Sequence, residues 1–141
     1  MSVTTATHLN FRGDARAALE FYRSVFGGDL AVVTYKDAGA VQGESEADQV
    51  MWGQVRSAAG FHVMAYDVPS GMPYEQGTNG FFVSVRAETV EEVTGYWEKL
   101  VEESTVVVPM GPAGWAPAYG MARDRFGVVW VLDVVSDQTG W

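Results

Sequence analysis

Few residues in this 141-residue chain can do chemistry, and their types narrow what that chemistry is. There is no cysteine, which removes disulfides, thiolate zinc sites and a thiol nucleophile. There are two histidines, His8 and His62. Either could act near neutral pH as a base or a hydrogen-bond donor. The bland alternative is a satisfied polar or surface group on a strand. No Ser-His-Asp order, phosphate loop or paired-carboxylate motif accompanies them. The other candidates are aromatic. Trp52, Phe82, Trp115 and Tyr119 can line one pocket, with Gln54 and Ser84 as its polar contacts; for Trp52 and Phe82 the alternative is ordinary core. Trp115 falls in a Gly/Pro stretch, residues 109–117, read as a loop. A loop tryptophan outside the core packs over a ligand, a partner or a cavity rim. Glu44, Glu46 and Asp48 read as a solvated charge run.

Composition excludes several partners. Eighteen acids against nine Lys and Arg give a formal charge of −9. That balance repels a phosphate backbone, and no Lys/Arg cluster offers an exception, so nucleic acid is not expected. Hydrophobic residues make up 48% and charged residues 19%, the balance of a folded domain. No apolar run approaches the roughly 20 residues that cross a bilayer. Residues 1–10 lack the basic and apolar segments of a signal peptide. A cytoplasmic chain without membrane contact is expected.

The elements that must position these side chains follow from periodicity. Residues 4–12 alternate, placing Leu9 and Phe11 on one face of a strand and His8 and Asn10 on the other. Asp14 stands at an N-cap position ahead of Ala15, Ala18, Leu19, Tyr22, Val25 and Phe26, an apolar helical stripe that Gly27-Gly28 stop. Residues 30–35 read as a strand and 36–49 as a mobile connection. Residues 50–56 and 61–68 form a hairpin around 57–60, and it carries Trp52, Gln54, His62 and Met64. Residues 69–80, with Pro69 and Pro73, read as a linker. The order then repeats. Residues 81–86 form a strand with Phe82 and Ser84. Thr89 and Glu92 make a capping box for a helix with Val90, Val93, Trp97, Leu100 and Val101 inward. A strand over 105–110 and a hairpin of 118–124 and 128–135 follow, and the tail from Ser136 to Trp141 is expected to fray.

The repeat has a measurable offset. Asp14 and Thr89 are 75 positions apart, as are Ala18 and Val93, Tyr22 and Trp97, and Val25 and Leu100. The preceding strands align at 74, pairing Leu9 with Val83 and Phe11 with Val85. The expected fold class is therefore α+β, a single domain of two βαβββ modules at 1–68 and 81–135.

Three segments carry a family resemblance: Leu9-Asn10-Phe11-Arg12-Gly13-Asp14, the helix from Ala18 through Tyr22 and Phe26 to Gly28, and Tyr119-Gly120-Met121-Ala122-Arg123-Asp124-Arg125-Phe126-Gly127 with Val128, Val129 and Trp130. With the repeat, they resemble the vicinal oxygen chelate superfamily, the glyoxalase and bleomycin-resistance group, and within it the PhnB-like branch. The resemblance implies cupped sheets of mixed and antiparallel strands around a cavity, and a homodimer. Branch members often carry a description naming a ubiquinone methyltransferase. Here no Gly-rich loop follows a first strand and there is little room for a Rossmann-type domain, so that description is set aside.

Metal-using relatives draw ligands from the first and last strand of each module. The resemblance places His8, Met64, Phe82 and Val131 at those positions, and a slip in register exchanges Met64 for His62. One imidazole of four does not hold a hard divalent ion, so no metal and no cofactor are expected. Many branch members carry His where Trp52 stands, which here becomes an apolar stacking surface. The resulting expectation is a metal-free protein that binds a small flat or apolar, largely uncharged molecule, contacted by His8, Asn10, His62 and Met64 along with the aromatic set. Two alternatives stay open. One is a superfamily enzyme (lyase, isomerase or dioxygenase) using a divalent metal or His8 as base. The other is a dimeric interaction module without a ligand.

Overall fold

The structure is a computed structural model that describes residues 2–41 and 43–135; the tail from Ser136 to Trp141 lies outside the described residues. The chain divides into two compact units between Gln76 and Gly77. The first unit runs β1 (Thr7–Phe11), α1 (Ala15–Phe26), β2 (Asp29–Thr34), β3 (Val50–Arg56) and β4 (His62–Asp67). The second runs β5 (Val83–Ala87), α2 (Val90–Leu100), β6 (Thr105–Ala113), β7 (Ala116–Arg123) and β8 (Val129–Val134). Each unit is one four-stranded sheet, ordered β1-β4-β3-β2 in the first and β5-β8-β7-β6 in the second. The outer pair β1–β4, like β5–β8, is parallel, and the remaining pairs are antiparallel. The α+β class with two βαβββ modules is what the periodicity predicts. No helix among the described residues is long and apolar enough to cross a membrane.

One face of each sheet carries its helix. In the first unit Leu9, Phe11, Val55, Val63 and Ala65 are buried against the α1 stripe of Ala18, Leu19, Tyr22 and Val25. The closest approach falls on Gly53, where a Cβ would stand 2.6 Å from Leu19 Cδ1. The second unit repeats the device at Gly120, where a Cβ would stand 2.9 Å from the Trp97 indole. Only glycine lets a helix side chain seat that closely on a central strand. In α2, Val93, Trp97 and Leu100 are buried, but Val90 is exposed in the first turn and Val101 has left the helix for a 3-10 turn.

Backbone hydrogen bonds fix the true repeat. Val68 N–H donates to Phe11 O, and Val135 N–H donates to Ala87 O. Ser57 N–H donates to Phe61 O, and Asp124 N–H donates to Val128 O. The hairpins therefore correspond at an offset of 67, and the first strands at 76 rather than 74. Both strand offsets keep side-chain parity, because faces repeat every two residues, so alternation cannot separate them. The corrected counterpart of His8 is Ser84, not Phe82. The strand expected from residue 81 begins only at Val83, opposite Trp130, and leaves Phe82 ahead of it and 44% exposed.

Two other expectations change. Asp14 holds the N-cap position of α1 without a side-chain hydrogen bond. The buried carboxylate of Asp67 serves instead: Oδ1 accepts from Gly13 N–H (2.6 Å) and Ala15 N–H (3.1 Å), and Oδ2 from Val50 N–H (2.9 Å). The proline-bearing stretch read as a loop is strand through Ala113. β6 lies at the sheet's edge and its pairing with β7 is bulged, the two settings in which a strand tolerates proline. Trp115 therefore sits with Gly114 in a tight hairpin turn.

Candidate functional site

Strand parity decides which side chains leave the helix-covered face. In the first unit His8 is the register partner of Met64, and Met64 that of Gln54. Asn10 and Tyr66 form the next row. Trp52 stands two residues along β3 from Gln54, and His62 two along β4 from Met64. The first unit thus brings His8, Asn10, Trp52, Gln54, His62 and Met64 to one open face, the face without the helix. Trp52 is 36% exposed there, so it is not core.

Two imidazole–amide pairs organise that face. His8 Nδ1 lies 2.9 Å from Asn10 Oδ1, and His62 Nε2 lies 2.9 Å from Gln54 Oε1. An amide oxygen only accepts, so each contact places the N–H on the bonded nitrogen. In the neutral rings His8 Nε2 and His62 Nδ1 are then the acceptors. Tyr66 meets His8 edge-on, with ring centroids 5.3 Å apart. Tyr74 closes the outer edge of β1, its hydroxyl donating to Asn10 O at 3.2 Å and its ring lying under the Arg12 guanidinium. Burial, and next the neighbouring Asp14 carboxylate, push the Tyr74 phenol up from its ordinary value, so it stays a donor. Arg12 also donates to the carbonyls of Val68 and Pro69, which pins the start of the following segment to β1.

The second unit presents a different open face. Ser84 is the register partner of Val131, and Val131 that of Met121. In the neighbouring row Arg86, Asp133 and Tyr119 stand side by side across β5, β8 and β7. Arg86 Nε donates to Asp133 Oδ1 at 3.1 Å. The Trp115 ring meets Tyr119 edge-on at 5.1 Å and is 40% exposed. Ser84, Trp115 and Tyr119 of the expected set therefore share this unit, and Phe82 lies outside its strands. The sequence reading passed over Tyr66, Arg86, Asp133 and Arg123. Each follows from continuing a strand's alternation by a step of two, from Met64, Ser84, Val131 and Met121.

The positions from which metal-using relatives draw ligands can be tested unit by unit. In the first they hold His8 beside Met64, and in the second Ser84 beside Val131. A thioether, a hydroxyl and an isopropyl group do not complete a site for a hard divalent ion, and the Nδ1 of His8 is already committed to Asn10. The residues do not fit a metal. No cluster of three or more His, Cys, Asp or Glu with metal-binding geometry occurs among the described residues.

Residues 6–132 match the family model of the Glyoxalase/Bleomycin resistance protein/Dioxygenase superfamily. The chain is similar to Protein YjdN of Escherichia coli (strain K12), at 24% identity over 145 residues, covering 93% of this chain and 95% of that protein. Among solved structures it resembles protein PA1353 from Pseudomonas aeruginosa, with a TM-score of 0.85 and 31% identity over 96% of this chain and 100% of that one. It also shares its fold with a Bacillus cereus protein described as a putative 3-demethylubiquinone-9 3-methyltransferase, PhnB protein. There the TM-score is 0.71 and the identity 22%, over 94% of this chain and 100% of that one.

Proposed function

The chain belongs to the glyoxalase/bleomycin resistance protein/dioxygenase superfamily, and from that premise we propose that it binds a small flat molecule without the help of a metal. One observation carries the reading. The open face of the first sheet gathers Trp52, two amide-held imidazoles and Met64, and its charged strand residues, Asp29 and Arg56, are confined to the end row beside His62. The exposed indole of Trp52 supplies stacking surface on that face, and His8 and Gln54 orient the ligand by hydrogen bonds. The chain works in the cytoplasm, consistent with its lack of cysteine, and as a homodimer, which would cover sheet edges left open at β2 and β6.

Quenching of tryptophan fluorescence by a panel of planar aromatic compounds tests the binding. Trp52→Ala should weaken a hit about tenfold, equivalent to a loss of about 1.4 kcal/mol. Hits that bind Trp52→Ala unchanged overturn the reading. Elemental analysis of untagged protein should find no stoichiometric zinc, nickel, iron or manganese, and light scattering should return twice the chain mass.

A second reading rests on the His8–Asn10 contact. In the neutral ring a proton on Nδ1 donates to the amide oxygen and Nε2 is free to accept, the arrangement a general base needs. In that reading His8 removes a proton from a bound substrate and Asn10 positions the ring.

A further inference from the structure

The row Arg86–Asp133–Tyr119 is the part of the second unit that the binding reading leaves unexplained. Asp133 is 7% exposed although it stands on the open face of its sheet, in a strand otherwise built from valine, leucine and tryptophan. Burying a carboxylate there costs solvation that only its partner returns, and a half-exposed pair of this kind adds little to stability. The pair does, however, hold the guanidinium in one orientation. Asp133 takes Nε alone, and among the described residues the two Nη atoms of Arg86 make no hydrogen bond. An arginine tethered at Nε offers its Nη atoms as parallel donors to a planar oxyanion.

The surroundings match that use. The corresponding positions of the first unit, at offsets of 76 and 67, are Asn10 and Tyr66, so the charged pair is particular to the second. Ser84 stands one step of the alternation from Arg86, with Val131 and Met121 beside it as an apolar floor. Tyr119, backed by Trp115, stands two strands from Arg86, about 10 Å away at the ordinary strand spacing. That span is the length of a two-ring acid. A net charge of −9 argues against polyanions approaching the whole molecule, but it says little about a face where the arginines Arg86 and Arg123 stand.

We propose that Arg86, held by the buried Asp133, is the anion-receiving group of the second sheet's open face, and that its ligand is a planar molecule ending in a carboxylate. The proposal rests on the small-molecule reading above, carries it to the second sheet's own face and gives the ligand there a chemical class. Arg86 is the binding residue, and Asp133 is a positioning residue that acts through it. One guanidinium, with its Nε already paired to a carboxylate, matches a single negative charge better than the double charge of a phosphate monoester.

Titration of the 15N-labelled full chain with 2-naphthoate, 2-naphthamide and 2-naphthyl phosphate tests this. The acid should bind at least tenfold more tightly than the amide and shift the Arg86 Nε–H resonance. Arg86→Gln should abolish that preference by weakening the acid far more than the amide. Arg86→Lys should retain part of it. Asp133→Asn should reduce the acid-to-amide ratio; a purely structural role would weaken both probes alike. Equal binding of acid and amide, tighter binding of the phosphate, or a preference that survives Arg86→Gln overturns the proposal and leaves small-molecule binding standing. No binding by any of the three overturns both.

Discussion

At the start of α1 a buried carboxylate from β4 reaches back to the backbone, whereas at the start of α2 the hydroxyl of Thr89 accepts from Glu92 N–H within the helix's own first turn. The two units share one topology yet open their helices by tertiary and by local means. The difference tracks the connections between the central strands and the edge strands beside them. In the first unit residues 35–49 join β2 to β3, and Asp67 ties the return of that connection, at Val50, to the helix start. Tyr35 adds a hydrogen bond from its hydroxyl to Asp67 O, with burial the main cause pushing its phenol up. In the second unit only Gly114 and Trp115 join β6 to β7, so there is no long connection to tie. The more buried of its two buried acids, Asp124, works in the β7–β8 turn instead, accepting from Phe126 N–H, Val128 N–H and the Trp130 indole. A repeated fold keeps its backbone plan while each copy satisfies its buried polar groups by whatever its loops supply.

The largest test of this contrast is Asp67→Ala. It strands three backbone N–H groups, and at about 1–3 kcal/mol for each unsatisfied donor the loss should reach at least about 3 kcal/mol in chemical denaturation. A loss under about 1 kcal/mol would mean that solvent or Asp14 replaces the carboxylate.

Next come the two seat glycines. Gly120→Ala should cost about 2–3 kcal/mol, because its new methyl meets the rigid Trp97 ring and stands 3.2 Å from Met110 Cα. Gly53→Ala should cost less, about 1–2 kcal/mol, since the nearest atom is the terminal methyl of Leu19. The reverse order in thermal melts would show that the α1 seat is the tighter one.

Capping gives a smaller and sharper contrast. Thr89→Ala should destabilise by about 1 kcal/mol, while Asp14→Ala should change stability by less than about 0.5 kcal/mol. Equal losses would break the distinction between local and tertiary caps.

The smallest effect is a titration in the long connection of the first unit. Hydrogen bonding to Ser70 holds the Glu46 carboxyl below its ordinary value. A carboxyl depressed in the folded state contributes above its unfolded pKa, and that contribution is lost as pH falls through the folded one. By NMR, Ser70→Ala should raise the Glu46 midpoint toward the ordinary value. An unmoved midpoint would show that the clasp does not set it.

Periodicity alone was enough for much of this molecule. The apolar stripe of α1, the inward Val93, Trp97 and Leu100 of α2, and the parity that sends His8 and Asn10 away from Leu9 and Phe11 are local patterns. The duplication is visible for the same reason, since each copy writes the same pattern again. Tertiary structure decided the rest. A shift of two residues leaves every side chain on its face, so only the bonds from Val68 to Phe11 and from Val135 to Ala87 could make Ser84 rather than Phe82 the counterpart of His8. Pro109 and Pro112 read as loop residues until β6 proves to be an edge strand with no outer partner. Asp67 and Asp133 carry no local mark of their roles, because their partners lie on other elements of the chain. A buried charge is defined by what the fold brings to it, and that information is not local in sequence.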